Sequence, residues 1–320
     1  MGTDYELMLD LYDRLGQDPA VFADSEVAHL VIHQNKVIGA NLVEGFGVEP
    51  EELDDGVRVR VWVEDGAVIE RTVHMCFGVL PEKGLQRILL DVDVGAQAKV
   101  ALLAHCVFPN AVDVTHRMQA EIRVAEGGDY AYFERHVHGR QGGVLVVPEA
   151  RVRLEAGARF ETEFELLAGR VGRIKIDYET WCAERSAMRM IARVAGRGDD
   201  RIEVRETAHL TGEGATGVLL SRIAVQDQAR AEVYNRLTAS APRARGHVDC
   251  KEIVRGNAVA CATPIVSVEH PLAHVTHEAA IGSVDSKQLQ TLMARGVTEE
   301  EAVEIIIQGL LAPKDGGAPP

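Results

Sequence analysis

The sequence is poor in several things that would have fixed a class at once. No run approaches the roughly 20 apolar residues of a membrane span. The amino terminus, MGTDYE, has no positive n-region, so no export signal is expected and a cytoplasmic location follows. Cysteine is scarce and odd in number (Cys76, Cys106, Cys182, Cys250, Cys261), which argues against a disulfide framework. None forms a C-x-x-C pair, so a structural zinc ribbon is unsupported. Basic residues are outnumbered 34 to 49 and the formal charge is −15. Such a surface repels phosphate backbones and anionic lipid, so neither nucleic acid nor membrane is an expected partner. The chain has no G-x-x-x-x-G-K-[ST], no strand–helix G-x-G-x-x-G, no H-E-x-x-H and no G-x-S-x-G. It is therefore not expected to be an enzyme, and any nucleotide energy must come from a partner.

What remains is a globular composition, 46% hydrophobic and 26% charged over 320 residues. Residues 4–15 (DYELMLDLYDRL) set Leu7, Leu9, Leu11 and Leu15 among acids and predict one short amphipathic helix, with Gly16 as its stop, in an amino-terminal segment 1–26. From 27 to 284 the period changes to two: Val57, Val59, Val61 and Val63 alternate with Arg58, Arg60 and Trp62. Only Arg185–Val194 suggests a helix inside this stretch. Strands without crossover helices exclude a doubly wound α/β fold. Turn signals such as Glu126-Gly127-Gly128-Asp129, Glu155-Ala156-Gly157-Ala158 and Thr211-Gly212-Glu213-Gly214 recur at intervals of about 20–30 residues. That spacing, with only 5% aromatics, favours a β-solenoid over a sandwich or barrel.

Residues 285–312 read as a helical hairpin. Asp285 or Ser286 caps a helix bearing Leu289, Leu292 and Met293, Gly296 closes it, and Thr298 with Glu301 forms a capping box. The second helix carries Ala302, Val303, Ile306, Ile307, Leu310 and Leu311, more apolar surface than a short hairpin buries alone. Residues 313–320 form a Pro/Gly-rich tail expected to be disordered.

Residues 246–311 carry four features in order: Cys250 six residues before Gly256, a proline opening an acidic strand, the run His277-Glu278-Ala279-Ala280-Ile281-Gly282, and D-x-x-Q-L-x-x-L-x-x-R-G-x-x-x-x-x-A from Asp285 to Ala302. Together they resemble the carboxy-terminal core of the SufB/SufD family of iron–sulfur cluster assembly scaffolds. Weaker likeness extends upstream through HCVFPNAVDVTHRM and YFERHVHG. The resemblance implies an all-β-dominated right-handed parallel β-helix with terminal helices. It also implies a dimer, either of identical chains or of SufB/SufD type, and a SufC-like ABC ATPase bound to each chain. A sulfur donor and apo-protein acceptors complete the set of partners. A transient iron–sulfur cluster would form at the subunit interface, its ligands falling here on Cys250, Glu278 and His277.

Thiolate mixed with carboxylate and imidazole suits a cluster that must be released. Successive strand residues face opposite ways, however, so His277 and Glu278 are not expected to grip one cluster from one chain. By the same resemblance the hairpin would dock the ATPase through Leu289, Met293, Val303, Ile306, Ile307 and Leu310. Longer family members continue with further helices after the equivalent of Leu311, which predicts a smaller dock here. Two other readings stand beside this one. One is a structural SufD-like subunit that holds no cluster. The other is a zinc- or iron-dependent β-helix enzyme using His270, His274 and His277. Cys261 is expected in the core, and the pair His136 and His138 at the surface.

Overall fold

A computed structural model describes residues 3–14 and 18–312. Helix α1 (Asp4–Arg14) and a 3₁₀ turn (Pro19–Phe22) precede strands β1 (His29–His33), β2 (Lys36–Asn41), β3 (Phe46–Leu53), β4 (Gly56–Val63) and β5 (Val73–Gly78). The strands β6 (Lys83–Val94), β7 (Lys99–Phe108), β8 (Asp113–Val124), β9 (Asp129–His138), β10 (Val144–Leu154), β11 (Arg159–Ala168) and β12 (Gly172–Cys182) follow. Then come β13 (Ala187–Gly196), β14 (Arg201–Leu210), β15 (Thr216–Val225), β16 (Arg230–Ala239), β17 (Arg245–Val254), β18 (Val259–Val268) and β19 (His274–Ser283). Helices α2 (Ser286–Met293) and α3 (Glu299–Leu311) close the described chain.

From β4 onward, even- and odd-numbered strands go to two different sheets, and each strand pairs in parallel with the one two places along. This is a parallel β-solenoid of about eight turns. The coils stack in register: Lys99, Asp129, Arg159, Ala187, Thr216, Arg245 and His274 occupy one column. Two residues before each of the first six of these, the chain turns with positive φ at Gln97, Gly127, Gly157, Arg185, Gly214 and Arg243. The period-two pattern sends alternate Val, Ile, Leu, Phe and Ala side chains into one continuous core between the sheets. Arg185–Val194 belongs to this scheme as turn and strand, not helix: Met188, Met190 and Ala192 point inward while β-sheet bonds continue on both sides.

The two ends differ. At the first, the antiparallel pairs β1–β2 and β3–β4 close the sheets. There α1 covers the outer face with Met8 and Tyr12, one turn apart, against Val31, Cys76 and Val107. The sequence pattern had pointed to the leucines, yet Leu7 is exposed and Leu9 and Leu11 are only half-buried. Leu15, the Gly16 stop and the tail 313–320 lie outside the described residues. At the other end, β18 and β19 each pair with one neighbour only among the described residues and leave a free sheet edge. Val259, Ile265, Val268, Leu272 and Ile281 are exposed there.

Helix α3 lies on the outer face of β13 and β15. Val303, Ile307 and Leu311 pack on Ala195 and Ala224, small side chains that let the helix approach. Arg197 donates to Glu304 and fixes the helix laterally. The capping box forms as read: Thr298 Oγ1 accepts from the Glu301 amide at 3.3 Å, and Glu301 Oε2 accepts from the Thr298 amide at 2.9 Å.

Candidate functional site at the open end of the solenoid

Cys250 lies at the centre of β17, one coil from the open end. Its register partners Ser221 on β15 and Ala279 on β19 point the same way, into the solenoid. The thiol is fully buried, but its surroundings are not all apolar. Asn235 Nδ2, across the core on β16, lies 3.8 Å from Sγ, and Ser221 Oγ donates to Glu252 Oε1 at 3.3 Å. Glu206 on β14 stacks directly beneath Asn235. These five residues make a polar pocket in an otherwise apolar core. Among the described residues, Glu206 Oε2, Asn235 Oδ1 and Glu252 Oε2 have no hydrogen-bond partner.

Burial governs the protonation here. It pushes the Cys250 thiol up to about 11, with the Ser221 hydroxyl pulling the other way. It pushes Glu206 up to about 8 and Glu252 up to about 7, so both carboxyls hold protons into the neutral range. A metal ion ligated by Cys250 would therefore have to displace a proton from the thiol, as thiolate ligation generally does.

Of the other two expected ligands, neither meets Cys250 within one chain. His277 stacks on Val248 and shares the inward face, Glu278 stacks on Asp249 and faces outward, and both are exposed on the last strand. Outside the solenoid a chain of charges runs from Arg222 through Asp249 to Lys251. Lys251 Nζ is 3.1 Å from Asp249 and 3.6 Å from Glu278 Oε2. Burial raises the Asp249 carboxyl, but Lys251 and Arg222 outweigh it and hold it below the usual range. His274 and His277, three apart on β19, face opposite sides, so the three-histidine reading has no shared centre.

Three expectations change. Cys261 is exposed, because β18 is an edge strand and carries it on the solvent side. His136 and His138 are buried, since their alternation on β9 points both inward. Among the residues expected to dock a partner, Val303 and Ile307 are occupied by the body of the protein. The helices leave open an apolar groove lined by Ile253, Leu292, Ile305, Ile306, Gly309 and Leu310. Ile306 and Leu310 were expected to contribute; Leu292 and Ile305 had not been assigned. Leu289 is half-buried against the body and Met293 is exposed.

Comparison with known proteins gives this architecture a relationship. Residues 82–310 match the family model described as "SUF system FeS cluster assembly, SufBD core domain". That match spans most of the solenoid and both carboxy-terminal helices.

The chain belongs to the SufBD family.

An iron–sulfur cluster assembly SufBD family protein of Pyrococcus horikoshii is 35% identical over 308 residues, 96% of this chain and 94% of that one. One from Methanocaldococcus jannaschii is 33% identical over 295 residues, covering 92% and 93%. The iron–sulfur cluster assembly protein SufB of Bacillus subtilis is 24% identical over 264 residues, 79% of this chain but 56% of its own length. The chain therefore matches these two archaeal SufBD proteins nearly end to end. No described helix is long and apolar enough to cross a membrane.

Proposed function

We propose that this SufBD protein is a scaffold, not a catalyst, that assembles a transient iron–sulfur cluster where two protomers meet at their open ends. The observation that carries the reading is the place of Cys250. It sits in an under-satisfied polar pocket one coil from a free sheet edge that presents exposed apolar residues. Free edges with apolar side chains are templates for pairing with another chain. A second copy is the natural occupant, because a twofold contact sets each β19 beside its equivalent. The pocket itself offers a single thiol, whereas a cluster needs several ligands. Ligation is then completed across the interface, with the exposed His277 and Glu278 as donors of imidazole and carboxylate from one or both copies. A SufD-type chain in place of the second copy makes the equivalent heterodimer.

In this reading Cys250 loses its proton as iron binds, and the mixed ligand set keeps the cluster labile enough to pass to apo-protein acceptors. Sulfur arrives from a separate donor. A SufC-like ABC ATPase docks on the groove between α2 and α3, and the assembly works in the cytoplasm. Anaerobic reconstitution with ferrous iron and sulfide tests the proposal. The wild type is expected to develop visible absorption that Cys250→Ala abolishes, and absorption that persists in the variant would refute Cys250 as a ligand.

One observation favours a second reading, a structural SufD-like subunit without a cluster: the thiol is fully buried and its expected partners stand apart. That reading predicts a wild-type protein that stays colourless even with its ATPase present.

A further inference from the structure

Five coils from Cys250, about 24 Å at the usual strand spacing, the core holds a second group of polar side chains. Cys106 on β7 stacks beneath His136 on β9, and His116 reaches them from β8 in the facing sheet. Glu134 shares the inward face of β9. All four are buried, and one donor atom from each lies within 4.8 Å of the others. Cys106 Sγ is 3.9 Å from both His116 Nε2 and Glu134 Oε1, and Glu134 Oε1 is 2.6 Å from His136 Nε2.

Each of the three non-sulfur donors is aimed by an outer partner. The amide nitrogen of Gln86 faces the carbonyls of Ile32, Gln34 and Gly78, which turns its oxygen to His116. His116 Nδ1 donates to that oxygen at 2.9 Å, leaving the Nε2 lone pair directed inward. His138 Nε2 holds His136 Nδ1 at 3.1 Å, and Tyr178 donates to Glu134 Oε2 at 3.4 Å. Outer hydrogen bonds of this kind orient metal ligands.

We propose that Cys106, His116, Glu134 and His136 form a mononuclear site for a borderline divalent transition metal ion, of which zinc is the type. Thiolate and imidazole select such an ion over magnesium or calcium. Ligand distances of about 2.0–2.3 Å in a tetrahedron put donors roughly 3.3–3.5 Å apart. The 3.9 Å contacts close slightly to reach that, and the 2.6 Å contact opens by under an ångström. The charge balances: the ion displaces one proton from the Cys106 thiol and one from the Glu134 carboxyl. Two anions and two neutral imidazoles then surround a dication, with no change of oxidation state. A neutral set suits a core that tolerates no isolated charge. Burial pushes the Cys106 thiol and the Glu134 carboxyl up and both imidazoles down.

The proposal is independent of the role of Cys250. The full chain, unfolded and refolded anaerobically with excess cobalt(II), reports on it after gel filtration. About one cobalt per chain is expected, with tetrahedral ligand-field bands and a thiolate-to-cobalt charge-transfer band, both removed by added zinc. Cys106→Ala removes the charge-transfer band and His116→Gln lowers retained cobalt several-fold, while Cys250→Ala changes neither. Far-ultraviolet circular dichroism shows which variants refold. A wild type that refolds and retains no cobalt overturns the proposal. So does an unchanged charge-transfer band in a refolded Cys106→Ala protein.

Discussion

Among the five thiols, Cys261 alone meets solvent, and Cys250 is both buried and raised to about 11 by that burial. Since the thiolate is the nucleophile, iodoacetamide at neutral pH should label Cys261 promptly and leave Cys250 unmodified, as peptide mass mapping will show. Dimerisation through the open end should slow labelling of Cys261 as well. The carboxyls around Cys250 give a second prediction. Glu206 and Glu252 keep their protons in the folded state up to about 8 and about 7, against 4.5 for an ordinary glutamate. The folded protein thus binds more protons than the unfolded chain between those values. Their contribution is fully present below pH about 4.5 and is lost as pH rises toward 8. Glu206→Gln, which stays neutral and retains an amide for Asn235, should flatten that fall. It should add on the order of 1–3 kcal/mol at pH 8 and little at pH 4.5 in urea titrations. The residues of this pocket were only partly legible in the sequence. Cys250 was found by its place in a motif. Ser221, Asn235, Glu206 and Glu252 became neighbours only through stacking of β14 to β17, and nothing in their local spacing announces that. The same holds for Cys106, His116, Glu134 and His136. They occur in two stretches already seen to resemble the family, but their meeting depends on two sheets facing each other.

At the level of single elements, α3 separates two jobs on two faces. Val303, Ile307 and Leu311 hold the helix to Ala195 and Ala224, while Ile305, Ile306 and Leu310 line the open groove. Ile307→Ala should cost about 2–4 kcal/mol of local stability, read as accelerated amide exchange across 299–311. Replacing Ile306 and Leu310 together by Asp should leave the circular dichroism of the solenoid unchanged and release a SufC-like ATPase in a pull-down. Retained ATPase would place its dock elsewhere. Thr298→Ala, which removes one arm of the capping box, should lower helix stability by about 1 kcal/mol. The box itself was legible because it rests on residues three apart in the sequence. Which face of α3 meets the body was not, because that is decided by the small residues Ala195 and Ala224 about a hundred positions away. In α1 the leucines carry the apolar pattern, yet Met8 and Tyr12 do the packing, against Val31, Cys76 and Val107.

For the whole molecule, the period-two pattern and the absence of crossover helices exclude a doubly wound fold, while turn spacing, scarce aromatics and the family resemblance point to a solenoid. Glycine marks only half of one turn column. Gly127, Gly157 and Gly214 share it with Gln97, Arg185 and Arg243, all with positive φ. A left-handed residue is strained unless it is glycine, so glycine alone marks three of these six coils. The asymmetry of the two ends has the larger consequence for function. One is closed by antiparallel hairpins and the other is left with free edges and exposed Val259, Ile265, Val268, Leu272 and Ile281. In the proposed reading a cluster built there belongs to two chains, so colour should be carried only by species with the mass of a dimer. Native mass spectrometry of the anaerobically reconstituted protein measures both at once. The account predicts a coloured species with the mass of two chains plus iron and sulfide, and Cys250→Ala dimers free of that added mass. A single chain that carries the cluster alone, or Cys250→Ala dimers that keep it, would contradict the account.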